Sequence, residues 1–320
     1  MTQLTHRHDP GSVGRLMLDR DSHRLAVMAR LSDLYQLTKL RITVMVAMTA
    51  SIGFALGVRA APLRGLEASA WSWWQLLATV VGTAMSCMGA SALNQVCEAD
   101  ADAKMHRTKD RPLPAERISA ASATVLGLAL GVGGVATLAV LTNPFAAGLS
   151  AFTLLSYILI YTPLKRVSSV STIVGAVPGA LPPVIGYAAA TGAIGVEAVI
   201  VFAIMFLWQL PHFLAIAWLY RDDFARAAFP MLPVLDPTGG STFRQILLGC
   251  MALVPLGLLP AVVGFAGKGY FFGALLAGVA FLGFGVALVI GRTRGHARAL
   301  FIASLVYLPL VLALMVVDGA

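Results

Sequence analysis

Charge is what this chain has least of. Only 12% of its 320 residues are Asp, Glu, Lys or Arg, against about a quarter in a typical soluble domain. That scarcity excludes a soluble enzyme and a disordered chain, and it leaves no room for a large separate extramembrane domain. Cysteine is nearly absent as well. Cys87, Cys97 and Cys250 lie in or beside apolar runs without metal-ligand spacing, so they read as small buried hydrophobes and not as a disulfide scaffold. The short alternating segments of an outer-membrane barrel are missing. No apolar run follows a short basic start, so no cleavable leader is expected. Asp9, Asp19, Asp21 and Asp33 argue against a mitochondrial presequence, which is normally poor in acids.

What the chain has is apolar length. Hydrophobic residues make up 58% of it. Continuous apolar and small-residue runs predict nine spanning helices at residues 42–58, 74–93, 118–141, 144–163, 172–191, 196–218, 244–265, 270–290 and 299–317, each near the ~20 residues a bilayer requires. The expected fold class is therefore all-α. It is a polytopic membrane bundle of about nine helices around a central cavity, with cytoplasmic loops capping the site. A polar cytoplasmic arm, residues 1–38, precedes an intramembrane domain, residues 39–320.

The net charge of +8 is a topology signal and does not indicate nucleic acid. Of the 23 basic residues, all but Arg59, Arg64 and Lys268 fall on one side of the nine-span arrangement. The positive-inside rule then places the N-terminus in the cytoplasm and the C-terminus in the periplasm, across the inner membrane.

Small residues carry the packing signal. Gly127 and Gly131, and Gly278 with Gly283 and Gly285, let helices approach closely in lipid. The stretch Val177-Pro178-Gly179-Ala180-Leu181-Pro182-Pro183 must interrupt the fifth helix. Two outcomes fit it, a break lining an internal cavity and a kinked, well-packed helix.

The strongest chemical signal begins inside the second span. Asn94, Glu98 and Asp102 stand at i, i+4 and i+8, so successive members drift by only about 40° around a helix. One face thus carries an amide oxygen and two carboxylates, while Asp100 points elsewhere. Hard oxygens in a row suit Mg²⁺, which completes its shell with water and phosphate oxygens. The plain alternative is a solvated helix end. Against that, the row starts in an apolar run, and Arg107, Lys109 and Arg111 follow at once with the donor geometry that phosphate needs.

Two further constellations lie on the same side. Tyr161 and Lys165, with Arg166 beside them, end the fourth helix. They read equally as a site and as an aromatic anchor with positive-inside charge. Trp208-Gln209-Leu210-Pro211-His212-Phe213 leads to Asp222 and Asp223. Those acids form either a second cation patch or, through Asp222 and Arg226, a simple i, i+4 ion pair. His212, beside a proline inside a span, is read as facing a cavity. Heme ligation, proton transfer and a hydrogen bond to substrate all remain open for it.

These residues resemble the UbiA superfamily of intramembrane prenyltransferases, and within it the members that act on heme. The resemblance is carried by Asn94-Gln95, Glu98, Asp102, Met105, Arg107-Thr108 and Arg111-Pro112-Leu113-Pro114. It continues in Tyr161-Thr162 with Lys165-Arg166, in Gly179-Ala180-Leu181-Pro182-Pro183, and in Trp208-Gln209 with Pro211-His212-Phe213. It runs from about residue 33 to the C-terminal region. Three departures stand out. Leu40 follows Thr38-Lys39 where the family commonly has proline, Ala228 stands where glycine is common, and Asp222/Asp223 do not form a clean DxxxD.

The resemblance implies transfer of a farnesyl group from farnesyl diphosphate to a vinyl group of heme B, giving heme O and diphosphate. It implies Mg²⁺ on Asn94, Glu98 and Asp102, with Arg107, Arg111 and Lys165 meeting the diphosphate charge. Tyr161, Lys165, Arg166, Gln209, His212, Asp222 and Asp223 become substrate contacts. The partners implied are the lipid bilayer and a heme A synthase or a cytochrome oxidase assembly factor, with no nucleic acid. The rival readings are transfer to an aromatic acceptor such as 4-hydroxybenzoate or to a chlorophyll precursor, and a transporter or heme carrier. The last would be expected to show an inverted repeat, and the acidic motif has no internal copy.

Overall fold

A computed structural model describes residue 25, residues 27–63 and residues 72–319. Arg7, Arg15, Arg20, Arg24 and Arg64, His6, His8 and His23, and Asp9, Asp19 and Asp21 lie outside the described residues. No strand occurs among the described residues. Nine described helices are long and apolar enough to cross a membrane: α1 Leu40–Pro62, α2 Trp73–Asp102, α3 Ala120–Leu141, α4 Pro144–Leu164, α5 Ser171–Thr191, α6 Val196–Leu219, α7 Gly240–Val263, α8 Lys268–Gly291 and α9 Arg294–Val317. The chain is a multi-pass membrane protein. Large side chains such as Val125, Val140, Leu276 and Ile290 stay exposed on its outside, where lipid takes the place of water.

All nine expected spans are present, but α2 does not end where its apolar run ends. It continues to Asp102, because helical hydrogen bonding is indifferent to whether the side chains are apolar. The end is closed by Thr108, whose hydroxyl donates to the Asp102 carbonyl at 2.9 Å. This extension carries the acidic row out of the apolar stretch as one rigid rod.

Close packing rests on missing side chains. A methyl group at Gly89 of α2 would overlap the backbone of Gly127 and Gly131 of α3, and one at Gly186 of α5 would overlap the Ala50 carbonyl of α1. The expected roles of Gly127 and Gly131 are thus met, and Gly285 packs on Cys250. Gly283, by contrast, faces open space. The fifth span breaks where the prolines require it. Its first helix ends at Ala180 and a second starts at Pro182, at the first helical position, where the missing N–H costs nothing. Residues 182–189 are all buried.

The N-terminal segment is more than a polar arm. Residues 27–37 are helical and dock on the body. Arg117 Nε donates to Asp33 Oδ1 at 2.9 Å. Leu37 is buried with Ala92, Leu113 and Ala123. Gln95 Nε2 donates to the carbonyls of Gln36 at 3.0 Å and Leu37 at 2.8 Å.

After α6 a short helix, Arg221–Arg226, ends in a tight reversal in which Phe229 N–H donates to the Phe224 carbonyl at 2.9 Å. This 6→1 bond needs a left-handed residue just past the helix. Ala228 fills that position with φ +54°. The chain thus carries alanine where the backbone favours glycine. Ala228→Gly should raise stability by about 1 kcal/mol, the order of the left-handed penalty for an L-residue. A higher apparent melting temperature in detergent is the readout, and an unchanged or lower one would contradict the strain.

Candidate active site

The last turns of α2 bury Asn94, Glu98 and Asp102 at 3%, 3% and 1% exposure. Charges at such depth need partners, and three different parts of the chain supply them. Lys39 Nζ donates to Asn94 Oδ1 at 3.1 Å. Lys165 Nζ donates to both Glu98 oxygens, at 2.9 and 3.1 Å. Arg111 Nη1 donates to Asp102 Oδ2 at 2.7 Å. Asn94 Nδ2 donates to Thr162 Oγ1 at 3.2 Å, and that hydroxyl donates to the Tyr157 carbonyl at 2.9 Å.

Local backbone irregularities aim these groups. Ser156–Tyr161 in α4 form a π-helical turn, which turns the end of the helix so that Thr162 meets Asn94 and Lys165 meets Glu98. Such turns recur at functional sites. Lys39 sits between the helix of residues 27–37 and α1 with φ +48°, a left-handed corner that sends its side chain inward. Burial, reinforced by the nearby Arg111 charge, pushes the Lys39 amine down to about 8. Burial also works against the charge on Lys165, but Tyr161 and the Glu98 carboxylate outweigh it and raise the amine.

The arrangement fits a divalent cation. Asp102 Oδ1 is buried without a hydrogen-bond partner, an open acceptor next to the Glu98 and Asn94 oxygens on the same helix face. No group of three or more His, Cys, Asp or Glu converges among the described residues. A cation here would therefore have two carboxylates and an amide from the protein and would need further oxygens, as Mg²⁺ takes from phosphate and water. Positive charge exceeds negative around the row, since Lys39, Lys165 and Arg111 face two carboxylates. Arg107 adds another cation close by, 5.0 Å over the Tyr220 ring.

The other expected site residues divide between this cluster and its frame. Arg166 turns outward and pairs with Asp100, at 2.6 and 3.2 Å, and with the Cys97 carbonyl. Tyr161 packs at a tilt against Tyr157, with centroids 5.0 Å apart, and lies against Gly175. Gln209 donates to the Ala176 and Met205 carbonyls and fills the space above Gly179, so it closes the seam between α5 and α6. His212 faces α9: its Nδ1 is 2.7 Å from Ser304 Oγ, and its ring stacks on Trp208. No described residue hydrogen-bonds His212 Nε2.

Asp223 accepts backbone N–H bonds from His106 at 3.2 Å and Arg107 at 3.3 Å and pairs with Arg226. It anchors the loop that carries Arg107 and does not join the oxygen row. Asp222 is exposed beside Arg221, so the i, i+4 pair expected with Arg226 gives way to the i, i+3 pair with Asp223.

Sequence spacing missed Lys39, Thr162 and Gln95. Lys39 approaches through a left-handed corner, which leaves no periodic trace. The only signal was its place in the Thr38-Lys39 pair.

Comparison with known proteins gives the family and the fold. The UbiA prenyltransferase family matches residues 40–308. A protoheme IX farnesyltransferase of Solibacter usitatus is 46% identical over 293 residues, covering 89% of this chain and 98% of the relative. The mitochondrial protoheme IX farnesyltransferase of Arabidopsis thaliana is 36% identical over 297 residues, covering 91% of this chain and 67% of the relative. Among solved structures, a digeranylgeranylglyceryl phosphate synthase superposes with a TM-score of 0.73 at 14% identity, covering 91% of this chain and 98% of that one. A UbiA homolog from Archaeoglobus fulgidus bound to DMAPP and Mg²⁺ superposes with a TM-score of 0.62 at 14% identity, covering 88% and 99%. With the family model matching residues 40–308 and relatives at 36–46% identity over about nine-tenths of the chain, this chain belongs to the UbiA prenyltransferase family.

Proposed function

We infer that this chain is a prenyltransferase that moves the farnesyl group of farnesyl diphosphate to a vinyl group of heme B, giving heme O and diphosphate. The observation that carries the reading is the buried Asn94/Glu98/Asp102 row with its surplus of cations, set at the end of a membrane helix. The names of the relatives at 36% and 46% identity favour heme over an aromatic acceptor such as 4-hydroxybenzoate, and a prenyltransferase over a carrier.

A Mg²⁺ ion held by Asn94, Glu98 and Asp102 would supply Lewis-acid stabilisation of the diphosphate; a UbiA homolog of the same fold from Archaeoglobus fulgidus is bound to DMAPP and Mg²⁺. The chain's own residues do the rest. Arg107, Arg111, Lys165 and Lys39 meet the negative charge that grows on the diphosphate as the farnesyl C1–O bond breaks. The terminal vinyl carbon of heme B then bonds to C1 through its π electrons, and the cation left on the carbon beside the pyrrole takes the oxygen of one water, whose proton leaves to the released diphosphate or to solvent. The apolar side chains of the spanning helices around the row limit access of water, which protects an allylic cation from premature capture. Tyr161, Gln209 and His212 are the substrate contacts on this reading, with His212 Nε2 offered to the heme iron or a polar heme group. Arg166, Asp222 and Asp223 frame the loops beside them.

The distribution of basic residues supports an inner-membrane location with the N-terminus cytoplasmic and the C-terminus periplasmic. The product would pass to a heme A synthase or a cytochrome oxidase assembly partner.

Glu98→Gln and Asp102→Asn keep side-chain shape and remove charge. Each should abolish Mg²⁺-dependent heme O formation, read by pigment mass and diphosphate release, while circular dichroism stays native. Full turnover in either variant would refute the cation role. Lys39→Met should lower kcat by about 10²-fold, the scale of losing one donor to developing negative charge. A wild-type kcat would show that Lys39 only braces Asn94.

A further inference from the structure

The helix of residues 27–37 has two unlike sides. Asp33 and Leu37 face the body and are buried. Val27, Met28, Leu31, Leu34 and Tyr35 face away and are exposed, Met28 at 67% and Leu31 at 60%. At ~100° per residue, Leu31 lies about 160° around the helix from Asp33, so the apolar stripe points directly out of the molecule. Nothing in the enzyme reading uses this stripe.

The stripe is continuous with the outer wall of α1. Only Thr38 and Lys39 separate the two helices. Tyr35 joins Leu40, Arg41 and Val44 in lining an open cleft of about 300 Å³, and Arg41 Nε donates to the Tyr35 hydroxyl at 2.8 Å. Leu40, Ile42 and Val44 are exposed at the start of a membrane span, so their surroundings are lipid. A helix tied by two residues to that span stays at the membrane surface. Its apolar stripe together with the exposed Arg30 and Arg41 has the make-up of a helix lying in the interface, and those charges complement anionic headgroups.

We propose that the outward face of residues 27–37 and the adjoining Tyr35/Leu40/Arg41/Val44 cleft seat in the headgroup–acyl boundary of an anionic phospholipid bilayer, and that this seating holds the Lys39 corner against Asn94. The coupling follows from the inward side. Gln95, next in sequence to Asn94, holds the carbonyls of Gln36 and Leu37. Lys39 begins two residues after the helix ends. Lifting the helix from the surface pulls on the corner that presents Lys39. The seating itself is independent of the acceptor and the reaction. Only the coupling rests on the enzyme reading.

The test uses the full-length chain in nanodiscs of phosphatidylcholine with and without phosphatidylglycerol, on a Cys97→Ser background. Nitroxides are placed at Met28→Cys, at Leu31→Cys and, as a control, at the exposed loop position Ala115→Cys. Power saturation should show positions 28 and 31 open to oxygen and closed to a water-soluble nickel chelate, more so with phosphatidylglycerol, and position 115 the reverse. Nickel accessibility at 28 and 31 would overturn the seating in favour of solvent. Dipolar broadening between copies there would overturn it in favour of a dimer face. For the coupling, Leu31→Glu should make a label at Met28→Cys nickel-accessible and lower farnesyl transfer several-fold. A lifted helix with undiminished transfer would overturn the coupling. Absence of heme farnesylation in the unmodified chain would overturn the enzyme reading instead, and the accessibility data would still decide the seating.

Discussion

Two carboxylates buried at the tip of a membrane helix set the terms for everything around them. An unpaired charge at the depth of Glu98 or Asp102 costs several kcal/mol, and removing one partner of a buried pair costs about 3–5 kcal/mol. The fold must therefore deliver Lys165 from α4 and Arg111 from the loop after α2. The π turn in α4, the compact loop closed by Thr108 and the Asp223 anchor on that loop each keep a cation at its carboxylate.

On the proposed reading, the same pairing prepares the site for a diphosphate. The cations that neutralise the carboxylates are the groups a diphosphate needs, and they are held in place before any ligand arrives. Pre-positioned charge in a water-poor setting stabilises developing charge more than mobile charge in water does. Among the carboxylate oxygens of Glu98 and Asp102, Asp102 Oδ1 is the one buried without a hydrogen-bond partner. The proposed cation is assigned beside it for that reason, since the other carboxylate oxygens of the row are already paired with Lys165 and Arg111.

Legibility in the sequence followed periodicity. The nine spans, the i, i+4, i+8 row, the outward Asp100 and the break at Pro182 all follow from helical spacing or from proline's missing donor, and the structure contains each of them. Residues whose role depends on an irregular backbone were not legible. Lys39 reaches Asn94 from a left-handed corner, and Thr162 does so from a π turn. Asp223 looked like a ligand because its type and its side of the membrane matched, and only its backbone partners across the chain show that it braces a loop. The stripe on residues 27–37 was hidden by the polar residues interleaved with it.

Sequence alone determined the all-helical membrane architecture and the oxygen-bearing face of α2, because hydrophobic length and 3.6-residue periodicity act within one element. Tertiary structure decided which cation meets which carboxylate, that His212 turns to Ser304 on α9, and that the segment before α1 docks as a helix. Those outcomes depend on contacts between residues far apart in the chain. Such contacts are selected by the cost of leaving a buried charge or polar group unpaired, and no local pattern records them.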